Sequence, residues 1–204
     1  MCGIVCALDI NEKPEILRSQ LLEMSKKLRH RGPDWSGIYS DKNAVLAHER
    51  LAIVDPKSGK QPLYSKDGRY VLAANGEIYN HLELREKYAK NHDFLTDSDC
   101  EIIIALYHLK GKDFLNDLNG IFGFVLYDSF ENKFLVARDH VGIIPLYVGW
   151  DKNNTMYVSS ELKALEGKCQ KIEIFPPGTL YHSDDKDYVK WYNKSWMNFE
   201  SVKN

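Results

Sequence analysis

The chain opens with the segment Met1-Cys2-Gly3-Ile4-Val5-Cys6-Ala7-Leu8-Asp9. Residues 2 to 9 are mostly apolar and have the length of one strand, which predicts a buried strand. If Met1 is removed, which a small second side chain permits, Cys2 carries a free α-amine beside its thiol. The pKa of a free thiol is about 8.5 and that of an α-amine about 7.7 to 8.0, so the amine can accept the thiol proton near neutral pH. Taken alone, position two is better explained by a small apolar residue that begins a strand.

The composition describes one ordinary globular domain. The 204 residues are 44% hydrophobic, with 27 Lys and Arg against 29 Asp and Glu. This charge balance gives no indication of a nucleic-acid or membrane partner. The apolar runs are far shorter than the about 18 residues of a membrane span, and the N-terminus lacks a signal segment, so we expect a cytoplasmic protein. The cysteines and histidines lack metal-ligand spacing, and we expect no metal site.

The spacing of apolar residues predicts an α+β protein. A helix is predicted from Pro14, because Leu17, Leu21, Met24 and Leu28 recur at helical intervals. Further helices are predicted over 82–89, 98–109, 112–118 and 160–165, and strands over 37–40, 44–54, 69–74, 121–127, 133–138, 145–150, 155–159 and 178–182. Short strands without regular strand–helix alternation favour antiparallel sheets, and two stacked sheets with helices outside would bury both sets of strands.

Three polar segments fit ordinary local structure when each is taken alone. The run His30-Arg31-Gly32-Pro33-Asp34-Trp35-Ser36-Gly37 has the glycines and the proline of a connecting loop. Asn75-Gly76 between apolar stretches is a strong hairpin signal and predicts a turn. Ser98 and Glu101 have the spacing of a capping box, which places Asp99 in the first turn of a helix, where the helix dipole favours a carboxylate.

Taken together, these segments resemble the glutaminase domain of class II glutamine amidotransferases, which are N-terminal-nucleophile hydrolases. The resemblance covers about residues 2 to 192, and it extends in order and spacing over Cys2-Gly3-Ile4, 31–34, 50–54, 75–77 and Ser98-Asp99. The amino-acid sequences of segments 30–37, 75–80 and 138–147 are most similar to those of the glutamine-dependent asparagine synthetases. The resemblance implies a four-layer αββα sandwich of two antiparallel sheets, with residues 1–192 as the glutaminase domain and 193–204 as the start of a linker to an ATP-dependent synthetase domain.

The resemblance also implies a role for each matched residue. Cys2 would supply the nucleophilic sulfur and the amine that carries its proton, while the Asn75 side-chain amide and the Gly76 backbone N–H would form the oxyanion hole. Arg50, which alone would be taken for a surface charge, would bind the α-carboxylate of glutamine. The other implied contacts are the α-ammonium receptors Asp99 and Glu77, the backbone around Ile53 and Val54, and a closing loop that includes Arg31, Gly32, Pro33 and Asp34.

The implied reaction is hydrolysis of L-glutamine to glutamate and ammonia, which would supply ATP-dependent conversion of aspartate to asparagine. No cofactor is expected in this domain. ATP and magnesium would bind in the synthetase domain of the full-length chain, whose Ser-Gly-Gly-x-Asp-Ser loop does not occur in this sequence. The resemblance admits a homodimer. Two alternatives stay open: a glutaminase domain that serves another ammonia acceptor, such as a sugar phosphate or phosphoribosyl pyrophosphate, and a domain that binds glutamine without turnover.

Overall fold

Two six-stranded antiparallel sheets stack face to face in the part of the chain that the structure describes. The first contains, in spatial order, β10 (Lys171–Ile174), β8 (Tyr147–Trp150), β9 (Met156–Ser159), β1 (Gly3–Leu8), β3 (Ala44–Arg50) and β2 (Trp35–Ser40). The second contains β12 (Tyr188–Lys190), β11 (Thr179–His182), β7 (Lys133–Arg138), β6 (Gly120–Asp128), β5 (Tyr70–Ile78) and β4 (Leu63–Tyr64). The predicted antiparallel sheets are confirmed.

The computed structural model describes residues 1–11, 13–88, 90–201 and 203. Glu12, Ala89, Val202 and Asn204 lie outside the described residues. The end of the predicted helix 82–89 and two positions of the predicted linker 193–204 therefore also lie outside them. No helix among the described residues is long and apolar enough to cross a membrane.

Helices cover the outer faces of both sheets. Helix α1 (Pro14–Lys26) packs on the first sheet through its predicted apolar stripe, and α2 (His81–Tyr88) and α3 (Ile102–Lys110) pack on the second. A third apolar cluster fills the space between the sheets. Short 3₁₀ turns lie at Asp99–Glu101, Gly111–Asp117, Leu162–Ala164, Ser195–Met197 and Phe199–Ser201. Three separate apolar layers define a four-layer αββα sandwich, which confirms the predicted architecture.

Strand β1 lies at the centre of the first sheet, paired with β3 on one side and β9 on the other. Successive side chains of a strand point to opposite faces. Accordingly Ile4, Cys6 and Leu8 belong to the cluster between the sheets, whereas Val5 and Ala7 pack under α1. Burial on both faces explains why this segment is apolar at consecutive positions.

The predicted turn at Asn75-Gly76 is wrong, because β5 runs straight through both residues. Asn75 lies opposite Gly123 and Gly76 opposite Phe122 in a pairing with β6 that continues from Tyr70 to Ile78. Nine consecutive pairs with a neighbouring strand outweigh the local turn preference of the dipeptide. The predicted loop over 30–37 is also shorter than expected, since β2 begins at Trp35.

Two other expectations need correction. Strand β3 ends at Arg50 and not at Val54. The capping box is absent from the described helix start, where Ser98 makes no side-chain cap. The Glu101 carboxylate instead accepts hydrogen bonds from the backbone N–H groups of Leu95 and Thr96, at 2.6 and 2.8 Å, so it fixes the preceding loop. The three short strands β4, β10 and β12 were not predicted.

Candidate active site

Strand alternation directs several predicted site residues into one cleft at the end of the sandwich. On β1 the even-numbered positions face the second sheet, and Cys2 continues that series one residue before the strand. On β5 the odd-numbered positions Val71 and Ala73 face the first sheet, and Asn75 and Glu77 follow the same parity. A cleft that is partly open to solvent is lined by Met1, Cys2, Arg50, Leu51, Ile53, Val54, Gly59, Gln61, Asn75, Gly76, Glu77, Ser98, Asp99, Cys100, Ile121 and Ile144.

The Cys2 thiol lies against the backbone of Leu51. The Leu51 N–H donates to Cys2 Sγ over 3.4 Å, and Sγ lies 3.6 Å from the Leu51 carbonyl oxygen. Burial raises the pKa of the thiol, while the Leu51 N–H and the positive charges of the N-terminus, Arg50 and Arg31 act in the opposite direction. Because burial disfavours the thiolate, the sulfur needs a base close by to become a nucleophile.

The Asn75 side chain has the properties required of an oxyanion donor. It is 1% exposed, and neither Nδ2 nor Oδ1 has a hydrogen-bond partner among the described residues. A buried amide without a partner costs about 1 to 3 kcal/mol, which a protein retains only where something else is gained. A ligand oxygen in the cleft would supply the missing partner.

Gly76 is fixed by the neighbouring strand. A Cβ built on it would lie 2.2 Å from the Ile121 carbonyl oxygen and 2.7 Å from Phe122 Cα. The absence of a side chain therefore lets β5 and β6 approach each other behind the cleft.

Arg50 is buried, with 5% exposure, and its guanidinium points to the loop that follows β3. Its Nη2 donates to the carbonyl oxygens of Asp55 and Val54 over 2.6 and 3.1 Å, and its Nη1 donates to that of Pro56 over 3.4 Å. Within this loop Asp55 adopts a positive φ of 50°. These bonds orient the guanidinium at the cleft wall, where its remaining N–H groups can meet a carboxylate.

Asp99 and Glu77 both line the cleft. The Asp99 carboxylate accepts the Ile78 N–H over 2.8 Å and is 5% exposed, whereas Glu77 is half-buried. Asp99 was predicted in the first turn of a helix. It lies instead in the 3₁₀ turn that immediately precedes α3. Two carboxylates and one guanidinium in the same cleft have the charge pattern that an α-amino acid requires of a receptor.

The remaining predicted residues lie in or beside the cleft. Ile53 and Val54 line it, with Ile53 57% exposed. The segment predicted to close over the ligand is docked on β3: the Asp34 N–H donates to the Arg50 carbonyl, and the Asp34 carboxylate accepts the Ala52 N–H over 2.8 Å. A Cβ on Gly32 would lie 2.1 Å from the Glu49 carbonyl oxygen. Pro33 lies in the same docked segment, between Gly32 and Asp34.

Sequence reasoning did not identify several residues that build the cleft. Gly59 lies where a Cβ would come within 2.9 Å of Arg50 Nη2, and the Gln61 side chain accepts the Ala74 N–H over 2.8 Å. Asp139 is fully buried, and its carboxylate accepts hydrogen bonds from four consecutive backbone N–H groups. The donors are Val141, Gly142, Ile143 and the cleft-lining residue Ile144. The contact between Gln61 and Ala74 joins two separate segments of the chain, so no local pattern reveals it.

Two solved structures share this four-layer sandwich at low sequence identity. The glutamine phosphoribosylpyrophosphate amidotransferase of B. subtilis superimposes with a TM-score of 0.73 at 21% identity, over 95% of this chain and 50% of that chain. A solved structure described as the allosteric regulatory enzyme of purine biosynthesis gives a TM-score of 0.76 at 21% identity, with the same coverage.

The sequence profile of the glutamine amidotransferase domain family matches residues 1–189, and the chain belongs to this family. It is 51% identical over 203 residues to the N-terminal region of asparagine synthetase B (glutamine-hydrolyzing) of Escherichia coli K12, which covers 100% of this chain and 37% of the relative. It is 50% identical over 202 residues to asparagine synthetase 1 (glutamine-hydrolyzing) of Arabidopsis thaliana, over 99% of this chain and 34% of that relative. The chain thus spans about a third of the length of these curated relatives.

Proposed function

We propose that the chain hydrolyses the side-chain amide of L-glutamine through Cys2, after removal of Met1, and that the ammonia serves asparagine synthesis in a larger protein. The observation that carries the proposal is the shared cleft, in which the Cys2 thiol from one sheet lies with the unpaired, buried amide of Asn75 from the other. An N-terminal cysteine and an oxyanion donor are the two groups that attack on a carboxamide requires.

In this proposal the Cys2 amine accepts the thiol proton as Sγ attacks the amide carbon. The C–S bond forms while the amide π electrons move to oxygen, and the oxyanion is stabilised by the Asn75 amide and the Gly76 N–H. The amine then returns the proton to the leaving nitrogen, ammonia departs, and water hydrolyses the thioester to glutamate. Removing one such donor typically costs about 2.7 to 4 kcal/mol of transition-state stabilisation.

The amino-acid end of glutamine would lie at the charged end of the cleft. Arg50 would bind the α-carboxylate, Asp99 and Glu77 the α-ammonium, and the backbone at Ile53 and Val54 would add contacts. The segment Arg31 to Asp34 would close more tightly over bound ligand. Trypsin cleavage after Arg31, with and without a glutamine analogue, tests closure, and equal cleavage in both samples contradicts it.

The asparagine step rests on the relatives, which are named as glutamine-hydrolyzing asparagine synthetases. ATP and magnesium would act in the part of the full-length protein that this sequence does not contain. As it stands, the chain would release ammonia and glutamate without an acceptor.

Ammonia release from glutamine by the Met1-free protein, verified by intact mass, tests the proposal. With Met1 retained the Cys2 nitrogen is an amide and cannot act as a base, so such protein should show negligible turnover. Cys2→Ala should abolish ammonia release while the protein still binds glutamine. Ammonia release that survives in Cys2→Ala, or none from processed wild-type protein, would overturn the assignment.

A further inference from the structure

Glu161 lies two residues after the end of β9, where the chain continues beside β1. The Ile4 N–H donates to the Ser160 hydroxyl over 3.0 Å, and the Ser160 N–H donates to the Ile4 carbonyl over 3.0 Å. These two bonds hold the segment that carries Glu161 against the first residues of β1. Glu161 is therefore held beside the end of the chain that bears Cys2, although the two residues are far apart in sequence.

Arg31 connects Glu161 with Cys2. Its Nη1 donates to Glu161 Oε1 over 2.9 Å, and its Nε donates to the Cys2 carbonyl oxygen over 2.8 Å. The Arg31 side chain is 12% exposed, and its Nη2 is buried without a partner among the described residues. One planar guanidinium thus contacts both residues, and its orientation depends on the two contacts together.

Glu161 is the centre of a cluster of two cationic side chains and one imidazole. His30 Nε2 and Arg31 Nη1 both lie within 3.0 Å of its Oε1, and Lys163 Nζ lies 3.0 Å from its Oε2. Burial opposes ionisation, but the hydrogen bonds from Arg31, Lys163 and His30 outweigh it and lower the pKa of Glu161 to about 2. The carboxylate is consequently charged throughout the neutral range and offsets the charge of Arg31 beside Cys2.

We propose that Glu161 is a positioning residue for Cys2, which acts by fixing the Arg31 guanidinium against the Cys2 carbonyl group. The inference rests on the proposed function for its kinetic consequence. Glu161 lines no part of the cleft and touches none of the groups assigned to glutamine. It determines where Arg31 lies, and Arg31 determines where the first residue of the mature chain lies.

Glu161→Gln tests this role, because it keeps the shape of the side chain and removes the charge. We expect kcat for glutamine hydrolysis to fall about ten- to hundred-fold, since small displacements of a reacting group have effects of this size. KM should change less than kcat, because the contacts of Arg50 and Asp99 are untouched and only the closing segment at Arg31 is affected. Glu166→Gln is the matched control: Glu166 is exposed and five residues away, and its substitution changes the net charge equally.

The pH dependence supplies a readout that a merely structural role would not move. The ionisable groups around Cys2 are Arg31, Arg50, Cys100, Glu77 and Asp99. Without the Glu161 charge, the uncompensated Arg31 disfavours an ammonium on Cys2, so the acidic limb of kcat against pH should move to lower pH. Glu161→Asp retains the charge and should keep the wild-type limb while its kcat falls.

A double-substitution cycle tests whether Glu161 acts through Arg31. In an Arg31→Gln background, Glu161→Gln should reduce kcat by less than two-fold further. Equal reductions in both backgrounds would overturn the inference, as would kinetics of Glu161→Gln that match those of Glu166→Gln. Processing is checked by intact mass and folding by thermal unfolding for every variant.

The rate of Cys2 alkylation by iodoacetamide separates this inference from the proposed function. It reports the thiol and its surroundings even if no glutamine is turned over. In Glu161→Gln the alkylation rate should rise at lower pH than in wild type and in Glu166→Gln. Identical pH profiles in all three proteins would contradict the role of Glu161, whereas absent turnover with shifted profiles would count only against the hydrolase assignment.

Discussion

Asn75 lies opposite Gly123 in the middle of the β5–β6 pairing, yet its side-chain amide hydrogen-bonds to neither strand. The backbone of Asn75 is thus fixed by the sheet, and its amide is left for a ligand. A donor held in this way loses little when charge develops next to it, because it needs no reorientation.

Asn75→Ala should therefore separate activity from stability. We expect kcat to fall about 100- to 1000-fold, since one oxyanion donor is lost. The midpoint of thermal unfolding should not decrease, because no hydrogen bond within the described structure is removed. Asn80→Ala is the matched control: Asn80 bonds Asp117 and Asn119, so this variant should lose stability and keep its activity. A large loss of stability in Asn75→Ala would contradict the assignment.

Gly76→Ala should destabilise the second sheet. A methyl group would lie 2.2 Å from the Ile121 carbonyl oxygen, so β5 and β6 must separate. The expected cost is about 1 to 3 kcal/mol of unfolding free energy, measured by urea denaturation, together with loss of turnover. Gly68→Ala has open space around the added methyl but a positive φ of 74°, and it should cost only about 1 kcal/mol and leave turnover intact. Equal effects of the two substitutions would argue against the close strand approach as the cause.

Arg50→Lys should weaken glutamine binding and loosen the loop after β3. An ammonium cannot reproduce the planar contacts to Val54, Asp55 and Pro56 and also bind a carboxylate bidentately. We expect KM to rise about ten-fold or more, and trypsin to cut faster within 51–60. Arg18→Lys, at an exposed position of α1, should change neither property. An unchanged KM would remove Arg50 from the proposed binding site.

His48 makes the stability of the domain depend on pH. It is fully buried between the sheets, with Nε2 2.9 Å from the Ala74 carbonyl oxygen, and burial lowers its pKa to about 4. Since the ordinary pKa of histidine is about 6.5, the unfolded chain binds this proton first. The stabilisation is complete above pH 6.5 or so and is lost as pH falls toward about 4, by up to about 3 kcal/mol.

His48→Gln should reduce that pH dependence, as measured by denaturant unfolding between pH 7 and pH 4. Glutamine keeps an N–H donor for Ala74 but does not titrate. His140→Gln removes an exposed histidine and should leave the curve unchanged. A wild-type slope in His48→Gln would assign the acid sensitivity to other groups.

Periodicity predicted those parts of the fold in which one face of an element is buried. Helix α1 was predicted from Leu17, Leu21, Met24 and Leu28, and β1 from its continuous apolar run, because each pattern reflects a local geometry. Asn75-Gly76 was assigned to a turn because that preference is local, whereas the pairing with β6 depends on residues about fifty positions away. Glu101 was assigned to a cap for the same reason, although its carboxylate binds the preceding loop.

More residues of the candidate site than of the fold could be specified from the sequence, because the motifs of a known family identify individual positions. The structure brings Cys2, Arg50, Asn75, Gly76, Glu77 and Asp99 together around one cleft. Glu161 and Gln61 were not predicted, since each acts by orienting another segment. Such roles depend on which segments meet in space, and a single sequence contains no record of that.

Cys2 and Asn75 come from opposite sheets, so the distance between sulfur and amide is fixed by the thickness of the apolar layer that separates those sheets. Side chains such as Cys6, Val71 and Val158 act as spacers in that layer. An added methylene there would move nucleophile and amide apart without touching either. The rate of the proposed reaction should thus be tunable from the interior, by the same packing that determines whether the chain folds.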